Sequence, residues 1–293
     1  MRAEHTYTLG YTSTFYALFR KTLFKDVVSI IKFGLTVLLF IATPLYILFI
    51  EYIVPHPTSS IFAYDFTLDV ILFSFQYSYS LLLFSFFLIP SSTLISNEFT
   101  HNTILVLESH PLTRFRILLS KTIAVFLYNG FVGFISISIV SSAAFVLYGF
   151  YDTFIFFLVN MGFCLFLSAF LVGLSMGISA LFQSSQHAVA ISFVIFLFAT
   201  LFSFISFYFI TADIYENSFL FLFDLNYNLA NVYVGLHKSF GYQPPSEFRF
   251  FHIMEQGIET NYATPVFSLL YLGLIALVMM GLGYWRFKTR QTP

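Results

Sequence analysis

The residues that could do chemistry are concentrated in one polar stretch, NEFTHNTILVLESHPLTRFRILLSK, at residues 97–121. His101 and His110 could ligate zinc, but their spacing is not that of a helical zinc pair, and no HExxH motif occurs in the chain. Lys121 and Thr122 look like the end of a phosphate-binding loop. The residues before them, RFRILLS, contain no glycine, so no backbone nest can cradle phosphate. We therefore predict neither a metal site nor ATP hydrolysis in this chain.

Serine and cysteine chemistry is no better supported elsewhere. Ser136, Ser138, Ser141 and Ser142 share one apolar run, but no histidine or aspartate in the apolar runs is placed to activate them. Serines in membrane helices usually bond to carbonyl groups of their own helix. The single cysteine, Cys164, excludes an intramolecular disulfide and a cysteine metal cluster. We predict no catalytic residue and no cofactor in this chain.

The composition indicates what surrounds these residues. Of 293 residues, 58% are hydrophobic, 22% are aromatic and only 9% are charged, whereas about 25% charged residues are usual in soluble domains. A soluble fold could not cover 43 Phe and 19 Tyr with so few charges without large exposed apolar patches. The chain is therefore predicted to be an all-α integral membrane protein. Continuous apolar runs, rather than alternating ones, favour helices over a β-barrel.

Six stretches have the roughly 20 apolar residues that a membrane-crossing helix needs. They are residues 33–54, 69–95, 119–148, 154–182, 187–211 and 264–286. All Lys and Arg residues except Lys238 and Arg249 fall before the first run, between the second run and the start of the third, or from the end of the last run onward. The positive-inside rule then predicts a multi-pass protein of the cell membrane with both termini cytoplasmic. We treat the whole chain, 1–293, as a single transmembrane domain.

Smaller signals concern packing and the membrane surface. In the fourth run, Ala169, Gly173 and Gly177 repeat every four residues, which predicts close packing within the chain. Residues 11–33 repeat an apolar side chain every four positions with lysines on another face, which predicts an amphipathic elbow helix. This helix serves either as a lipid anchor only or also as part of a partner's docking platform. Residues 212–263 are too polar to cross the membrane. We predict that they form short helices that lie on the outer face or dip into it. Their aromatic residues belong either to the aromatic belt of the membrane interface or to a lid over an exit path.

The loop between the second and third runs is predicted to form a helix, a turn and a helix. Glu98 begins an extension of the second run, and Pro111 ends it. The reversal is expected near His110, because a proline disfavours helix in the residue before it. Thr113 can then cap the next helix. A short loop of positive charge is the simpler interpretation, but it does not explain Glu98, Glu108 and the paired helical turns.

This loop resembles the one between the second and third spans of ABC-2 type transporter permeases, whose pattern is roughly E-x3-G-T-x3-L-x3-P-x2-R-x5-G-K. The matching residues are Glu98, Thr103, Leu107, Pro111, Arg114 and Lys121. Asn102 and Ser120 stand where that family has glycine. Asn102 tolerates a left-handed backbone, whereas Ser120 disfavours a close backbone contact. The six spans, the elbow and the outer segment are also similar to that family and its type V exporter fold.

The resemblance implies a permease subunit of an ATP-driven ABC exporter, coupled to an ATPase that is a separate chain. In that family residues 96–121 would be a cytoplasmic coupling loop seated on the nucleotide-binding subunit, with the elbow packed beside it. The residues implied to contact the ATPase are Glu98, Thr103, Glu108, Pro111, Arg114, Arg116, Lys121, Arg20, Lys21 and Lys25. ATP and Mg would be bound in the partner subunit. A second permease, as an identical copy or a paralogue, would complete the working unit.

The substrate is less constrained. The apolar runs contain mainly Phe, Leu, Ile and Ser, with isolated amides such as Gln76, Asn129 and Asn160. Such a path favours export of a lipid, a hydrophobic peptide or a drug-like amphiphile over an ion, and we expect no nucleic-acid partner. A membrane anchor or assembly scaffold that holds a cytoplasmic partner without transport is the alternative function. A secondary transporter is less favoured, because it would usually show intramembrane carboxylates or paired broken helices, and the apolar runs hold few ionisable groups.

Overall fold

The structure is a computed structural model. It describes residues 11–23, 91–109, 112–148, 153–209, 219–241 and 263–290, together with residues 38, 41–42, 45–46 and 88. Every regular element within these residues is helical, in agreement with the predicted all-α class. The first two predicted membrane helices, residues 33–54 and 69–95, lie almost entirely outside the described residues.

Eight α-helices occur in the described part of the chain. They are α1 Tyr11–Lys21, α2 Ser96–Thr100, α3 Thr103–Ser109, α4 Arg114–Tyr148, α5 Thr153–Leu181, α6 Ser185–Phe209, α7 Leu225–Ser239 and α8 Pro265–Thr289. A 3-10 helix, Leu220–Leu222, precedes α7. Helices α4, α5 and α8 are long and apolar enough to cross a membrane, and α6 contains a shorter apolar stretch, Ser185–Ala199. These four helices correspond to the third, fourth, sixth and fifth predicted spans.

The described part of the predicted elbow is α1, which packs against α4. On this helix Leu18 is buried, whereas Arg20 is exposed. Tyr16 is 63% exposed, so part of its apolar surface faces away from the bundle. The predicted continuation of the elbow to residue 33 lies outside the described residues.

Among the described helices, α5 packs against α4, α6, α7 and α8. Two glycines of α5 permit the close approach of α8. A Cβ atom on Gly177 would lie 2.5 Å from the carbonyl oxygen of Met279, and one on Gly173 would lie 2.8 Å from Cβ of Ala276. The small-residue repeat predicted for the fourth span is therefore an α5–α8 contact, whereas its first member, Ala169, is exposed.

Helix α7 lies within the predicted outer segment and is packed into the bundle against α5, α6 and α8. Asp224 caps the start of α7, and its Oδ1 accepts a hydrogen bond from the N–H of Tyr227 at 3.0 Å. Asn231 then ties α7 to the start of α8, because its amide nitrogen donates to the carbonyl of Ala263 at 2.8 Å and to Ser268 Oγ at 2.9 Å. This part of the outer segment is thus a buried helix.

The buried face of α7 carries polar groups that meet α5. The hydroxyl of Tyr233 donates to Asn160 Oδ1 at 3.3 Å, and the Asn160 amide nitrogen donates to the carbonyl of Phe156 at 2.9 Å. His237 is fully buried, with Nδ1 2.9 Å from the carbonyl oxygen of Tyr233. Burial lowers the pKa of His237 to about 4, against the smaller opposing effect of that hydrogen bond. The imidazole is therefore neutral at physiological pH.

Candidate functional site

The polar stretch singled out in the sequence folds into α2 and α3 at one end of the bundle, which we call the loop end. His101 and Asn102 form the turn between these helices, and Asn102 has a φ of 54°. Asparagine adopts this left-handed conformation more readily than most residues. The helix–turn–helix prediction therefore missed a break, because the right-handed helix already ends at this turn. The reversal predicted at His110 and Pro111 lies outside the described residues.

The start of α4 follows the prediction. Thr113 Oγ1 accepts a hydrogen bond from the N–H of Arg116 at 3.4 Å, and the Thr113 carbonyl accepts one from the N–H of Ile117 at 3.1 Å. A side-chain oxygen before the first turn satisfies an N–H group that has no partner within the helix. Thr113 thus caps α4 as expected.

Four charged or hydroxyl side chains meet at the loop end in what we call the Glu98 cluster: Glu98, Thr103, Lys121 and Lys21. Lys121 Nζ lies 2.7 Å from Glu98 Oε1 and donates to the carbonyl of Leu94 at 2.7 Å. The Thr103 hydroxyl donates to Glu98 Oε2. Lys21 Nζ lies 3.8 Å from Glu98 Oε1. The cluster therefore joins α1, α2, α3 and α4.

The two central charges are buried together. Only 1% of the Lys121 side chain and 8% of the Glu98 side chain are exposed. Burial raises the pKa of the Glu98 carboxyl, but the charge of Lys121, the hydrogen bonds from Lys121 and Thr103, and the charge of Lys21 together lower the pKa below its ordinary value. Because separating a buried ion pair leaves an uncompensated charge, α2 is held firmly against α4.

Four hydrogen bonds join the two ends of α2 to the end of α5 and the start of α6. They are Ile95 N to Ser179 Oγ (2.8 Å), Ser96 N to Ser179 Oγ (3.1 Å), Thr100 Oγ1 to Gln183 O (3.2 Å) and Ser185 N to Thr100 Oγ1 (3.3 Å). The N–H groups at the start of a helix have no partner within it, so Ser179 supplies an acceptor that α2 lacks. These contacts attach α2 to the turn between α5 and α6.

Two arginines bring the ends of α4, α5 and α8 together. Arg114 Nη1 donates to the carbonyl of Phe287 at 2.6 Å and to that of Arg290 at 2.5 Å. Carbonyl groups at a helix C-terminus lack helical partners, so Arg114 satisfies the end of α8. Arg290 donates to the carbonyl of Leu181 at the end of α5, and its guanidinium lies 4.9 Å from the ring centroid of Phe99 in α2.

The other residues predicted to contact a partner are more scattered. Arg116 on α4 and Arg20 on α1 are exposed. Glu108 belongs to α3, but its side chain lies outside the described residues, as do Pro111 and Lys25 as a whole. The structure therefore brings Glu98, Thr103, Lys121 and Lys21 into one cluster, places Arg114 at the end of α8, and leaves Arg116 and Arg20 at the surface.

Several side chains of the loop end are accessible to another molecule. His101 and Asn102 are exposed in the turn between α2 and α3. Leu105 of α3 is 43% exposed and Phe115 of α4 is 51% exposed. The loop end thus exposes apolar side chains and Arg116, and aromatic residues and arginine are enriched at protein interfaces.

Sequence reasoning missed Ser179 and did not separate Arg290 from the general positive charge of the termini. No local pattern marks Ser179, because serines recur throughout the apolar runs. Arg290 has no local signal either, since its contacts are with residues far away in the chain. Both residues contact α2 or the end of α5, so they belong to the same site as the residues that the spacing singled out.

The chemistry available at the loop end is structural. Among the described residues, no group of three or more His, Cys, Asp and Glu side chains is arranged to hold a metal ion. The buried ion pair, the hydroxyl contacts and the two arginines instead hold α2 and α3 in one position relative to α4, α5 and α8. This is an arrangement suited to transmitting a displacement.

Comparison with known proteins gives the context of this site. A family model described as ABC-2 family transporter protein matches residues 77–292, which includes α2 to α8 and the residues Glu98, Thr103 and Lys121. No curated protein matches the chain. The match covers most of the chain and agrees with three helices long and apolar enough to cross a membrane. The chain therefore belongs to the ABC-2 transporter family and is a multi-pass membrane permease component of an ABC transporter.

Proposed function

We propose that this chain is the permease subunit of an ATP-driven exporter and that residues 96–121 are its coupling segment, to which a separate ATPase subunit binds. The observation that supports this most is the buried Glu98–Lys121 pair, with the Thr103 hydroxyl on the same carboxylate. A segment held in this way moves as one body with the helices beneath it. Closure of two soluble subunits can then be delivered to the membrane helices.

In this proposal the predicted contact residues have two roles. Glu98, Thr103 and Lys121 are buried or partly buried and set the shape of the coupling segment. The exposed residues around them contact the ATPase directly. These exposed residues are His101, Leu105, Phe115 and Arg116 of the loop end and Arg20 of the elbow. Glu108, Pro111 and Lys25 remain predicted contacts of the same interface.

The rest of the assembly follows from the same proposal. ATP and Mg are bound by the ATPase subunit, and two permeases, identical or paralogous, form the transport path. The loop end and both termini face the cytoplasm, where the ATPase resides, because the positive charges of the chain are concentrated there.

An amphiphilic substrate, such as a lipid, a hydrophobic peptide or a drug-like molecule, suits the composition of the described spans. No charged residue occurs in residues 122–148, 153–181 or 265–285. An ion crossing such a path would lose its hydration without a charged partner, which is costly. Apolar and weakly polar molecules do not meet this barrier.

Reconstitution of the chain with its co-purified ATPase in proteoliposomes tests the proposal. The probes are a fluorescently labelled phospholipid, an amphiphilic dye and a hydrophobic peptide. We expect ATP-dependent movement of at least one probe, and a loss of about tenfold or more in the Glu98→Ala variant while the ATPase stays bound. Lys238→Gln, which changes an exposed charge on α7, is the matched control and should transport normally.

Two outcomes count against this function. If the Glu98→Ala variant transports as well as the unchanged chain while both subunits stay bound, the proposed coupling role of the segment is wrong. If the ATPase binds but no probe moves with ATP, the chain acts as a membrane anchor or assembly scaffold for its partner.

A further inference from the structure

Helix α2 is attached to more than one membrane helix. The Glu98–Lys121 pair connects it to α4. Separately, Ser179 Oγ accepts hydrogen bonds from the N–H groups of Ile95 and Ser96 at the start of α2. The Thr100 hydroxyl donates to the backbone carbonyl of Gln183. These last contacts involve the end of α5 and the turn that leads to α6. A displacement of α2 therefore acts on α5 through side chains, independently of the covalent chain that leads into α4.

Arg290 strengthens this second connection. Arg290 follows the last residue of α8. Its side chain contacts the Phe99 ring of α2 and the carbonyl of Leu181 in α5, so it lies between three helices. The Phe99 ring also meets the Phe287 ring of α8 edge to face, with centroids 5.7 Å apart. Arg114 holds the backbone carbonyl of Arg290 in place at 2.5 Å. Contacts to the backbone carbonyl and to the guanidinium of Arg290 therefore both fix the position of this residue.

Stability alone does not explain an arginine at this position. Arg290 is only 9% exposed, and two other cations, Arg114 and Arg286, act on it and disfavour its charge. Burying a charged group costs hydration free energy that an apolar residue does not lose. The fork of the guanidinium, however, can hold a carbonyl oxygen and an aromatic face at the same time, which an apolar side chain cannot do.

We infer that Arg290 and Ser179 are positioning residues that transmit the displacement of α2 to the ends of α5 and α8, in addition to α4. This inference rests on the proposed function, because it assigns a second route to the same coupling segment. When the ATPase moves α2, the end of α5 is displaced through Ser179 and the start of α6 through Thr100. Arg290 makes the ends of α5 and α8 move together. The permease then responds as a bundle of helices, not only through α4.

Hydrogen–deuterium exchange on the full-length chain with its bound ATPase, in lipid nanodiscs, tests this route. Exchange is measured without nucleotide and with ATP plus vanadate, over the amides of residues 94–100 and 179–186. In the unchanged complex we expect nucleotide to alter exchange in both segments. In Arg290→Gln and in Ser179→Ala, the change at 179–186 should fall to less than half, while that at 94–100 remains.

Two further variants separate positioning from a merely structural role. Arg290→Lys keeps the charge but loses the planar fork, and it should restore only part of the response at 179–186. Lys288→Gln removes an exposed charge at the same end of α8 and should respond as the unchanged complex does. A purely structural role would instead raise exchange equally with and without nucleotide and leave the nucleotide-dependent difference intact.

The outcomes distinguish this inference from the function on which it rests. If Arg290→Gln and Ser179→Ala show the full nucleotide response at 179–186, the second route is wrong and coupling through α4 stands. If the unchanged complex shows no response to nucleotide in either segment, the proposed function fails together with the inference. Loss of the response at 179–186 alone in both variants supports the route.

Discussion

The ammonium group of Lys121 lies 2.7 Å from the carboxylate of Glu98, although 23 positions of the chain separate the two residues. The same ammonium group donates to the backbone carbonyl of Leu94. One lysine of α4 therefore holds both the side chain and the backbone of the segment that forms α2. Because the two charged groups are buried, each depends on the other to offset its loss of hydration.

We expect this dependence to appear in a double-mutant cycle. Lys121→Met leaves Glu98 buried without its principal partner and should lower the free energy of unfolding by about 3–5 kcal/mol. The double variant Glu98→Gln with Lys121→Met should lose clearly less than the two single losses added together. Reversible denaturant unfolding in detergent micelles measures each value. Lys288→Gln, at an exposed position of the same end, should change stability by less than about 0.5 kcal/mol. Strict additivity would argue against the pair.

Acidification should destabilise the protein through His237. Its pKa is about 4 in the folded chain and 6.5 in the unfolded chain. Above pH 6.5 both states are neutral, and between pH 6.5 and 4 only the unfolded state takes up the proton, so stability falls as the pH falls. The loss amounts to about 3 kcal/mol at most. Thermal unfolding from pH 7.5 to 4 should show this slope.

His237→Gln should remove most of that slope between pH 6.5 and 4. His101→Gln, at an exposed histidine of the loop end, should keep it. An unchanged slope in the His237→Gln variant would assign the pH dependence to other groups.

The left-handed backbone of Asn102 predicts opposite effects for two substitutions. Asn102→Gly should preserve or slightly raise stability, because glycine adopts a positive φ without steric strain. Asn102→Val should lower the free energy of unfolding by about 1–2 kcal/mol, since its branched Cβ clashes in this region. Gln186→Val, on the exposed face of α6, is the control and should cost about 0.5 kcal/mol. Equal effects of Gly and Val at Asn102 would contradict the observed φ.

The close approach of α5 and α8 makes a matched pair of glycines informative. A Cβ atom on Gly177 would lie 2.5 Å from a backbone oxygen, so Gly177→Ala should destabilise by about 1–3 kcal/mol. Gly162 is on the same helix, and a Cβ atom there would have no neighbour within 4 Å, so Gly162→Ala should be neutral or stabilise by up to about 1 kcal/mol. Thermal unfolding of both variants decides the matter, and similar shifts would refute the close contact.

The fold was predictable where local physics dominates. Apolar runs of sufficient length gave the helices α4, α5, α6 and α8 close to their observed bounds, and Thr113 was recognisable as a cap before α4. Asn102 was recognised as a residue that tolerates a left-handed backbone, but the break in the helix at this position was not predicted. Such tolerance alone does not show that a helix ends.

The site was predictable only in part. The spacing singled out Glu98, Thr103 and Lys121, but it did not indicate that they contact one another. Ser179 and Arg290 were missed because their partners, the start of α2 and the end of α5, lie 84 and 109 positions away in the chain. No local pattern encodes contacts over such distances.

By itself, the sequence determined that this chain is a bundle of membrane helices and which polar stretch contains Glu98, Thr103 and Lys121. In lipid the backbone must bond within each segment, so length and apolarity are enough to specify a helix. Only the tertiary structure decided that Lys121 is buried against Glu98, that Arg290 lies between α2, α5 and α8, and that Gly177 lies against the backbone of α8. These relationships depend on how helices cross, and crossing is set by the packing of side chains that are distant in the sequence.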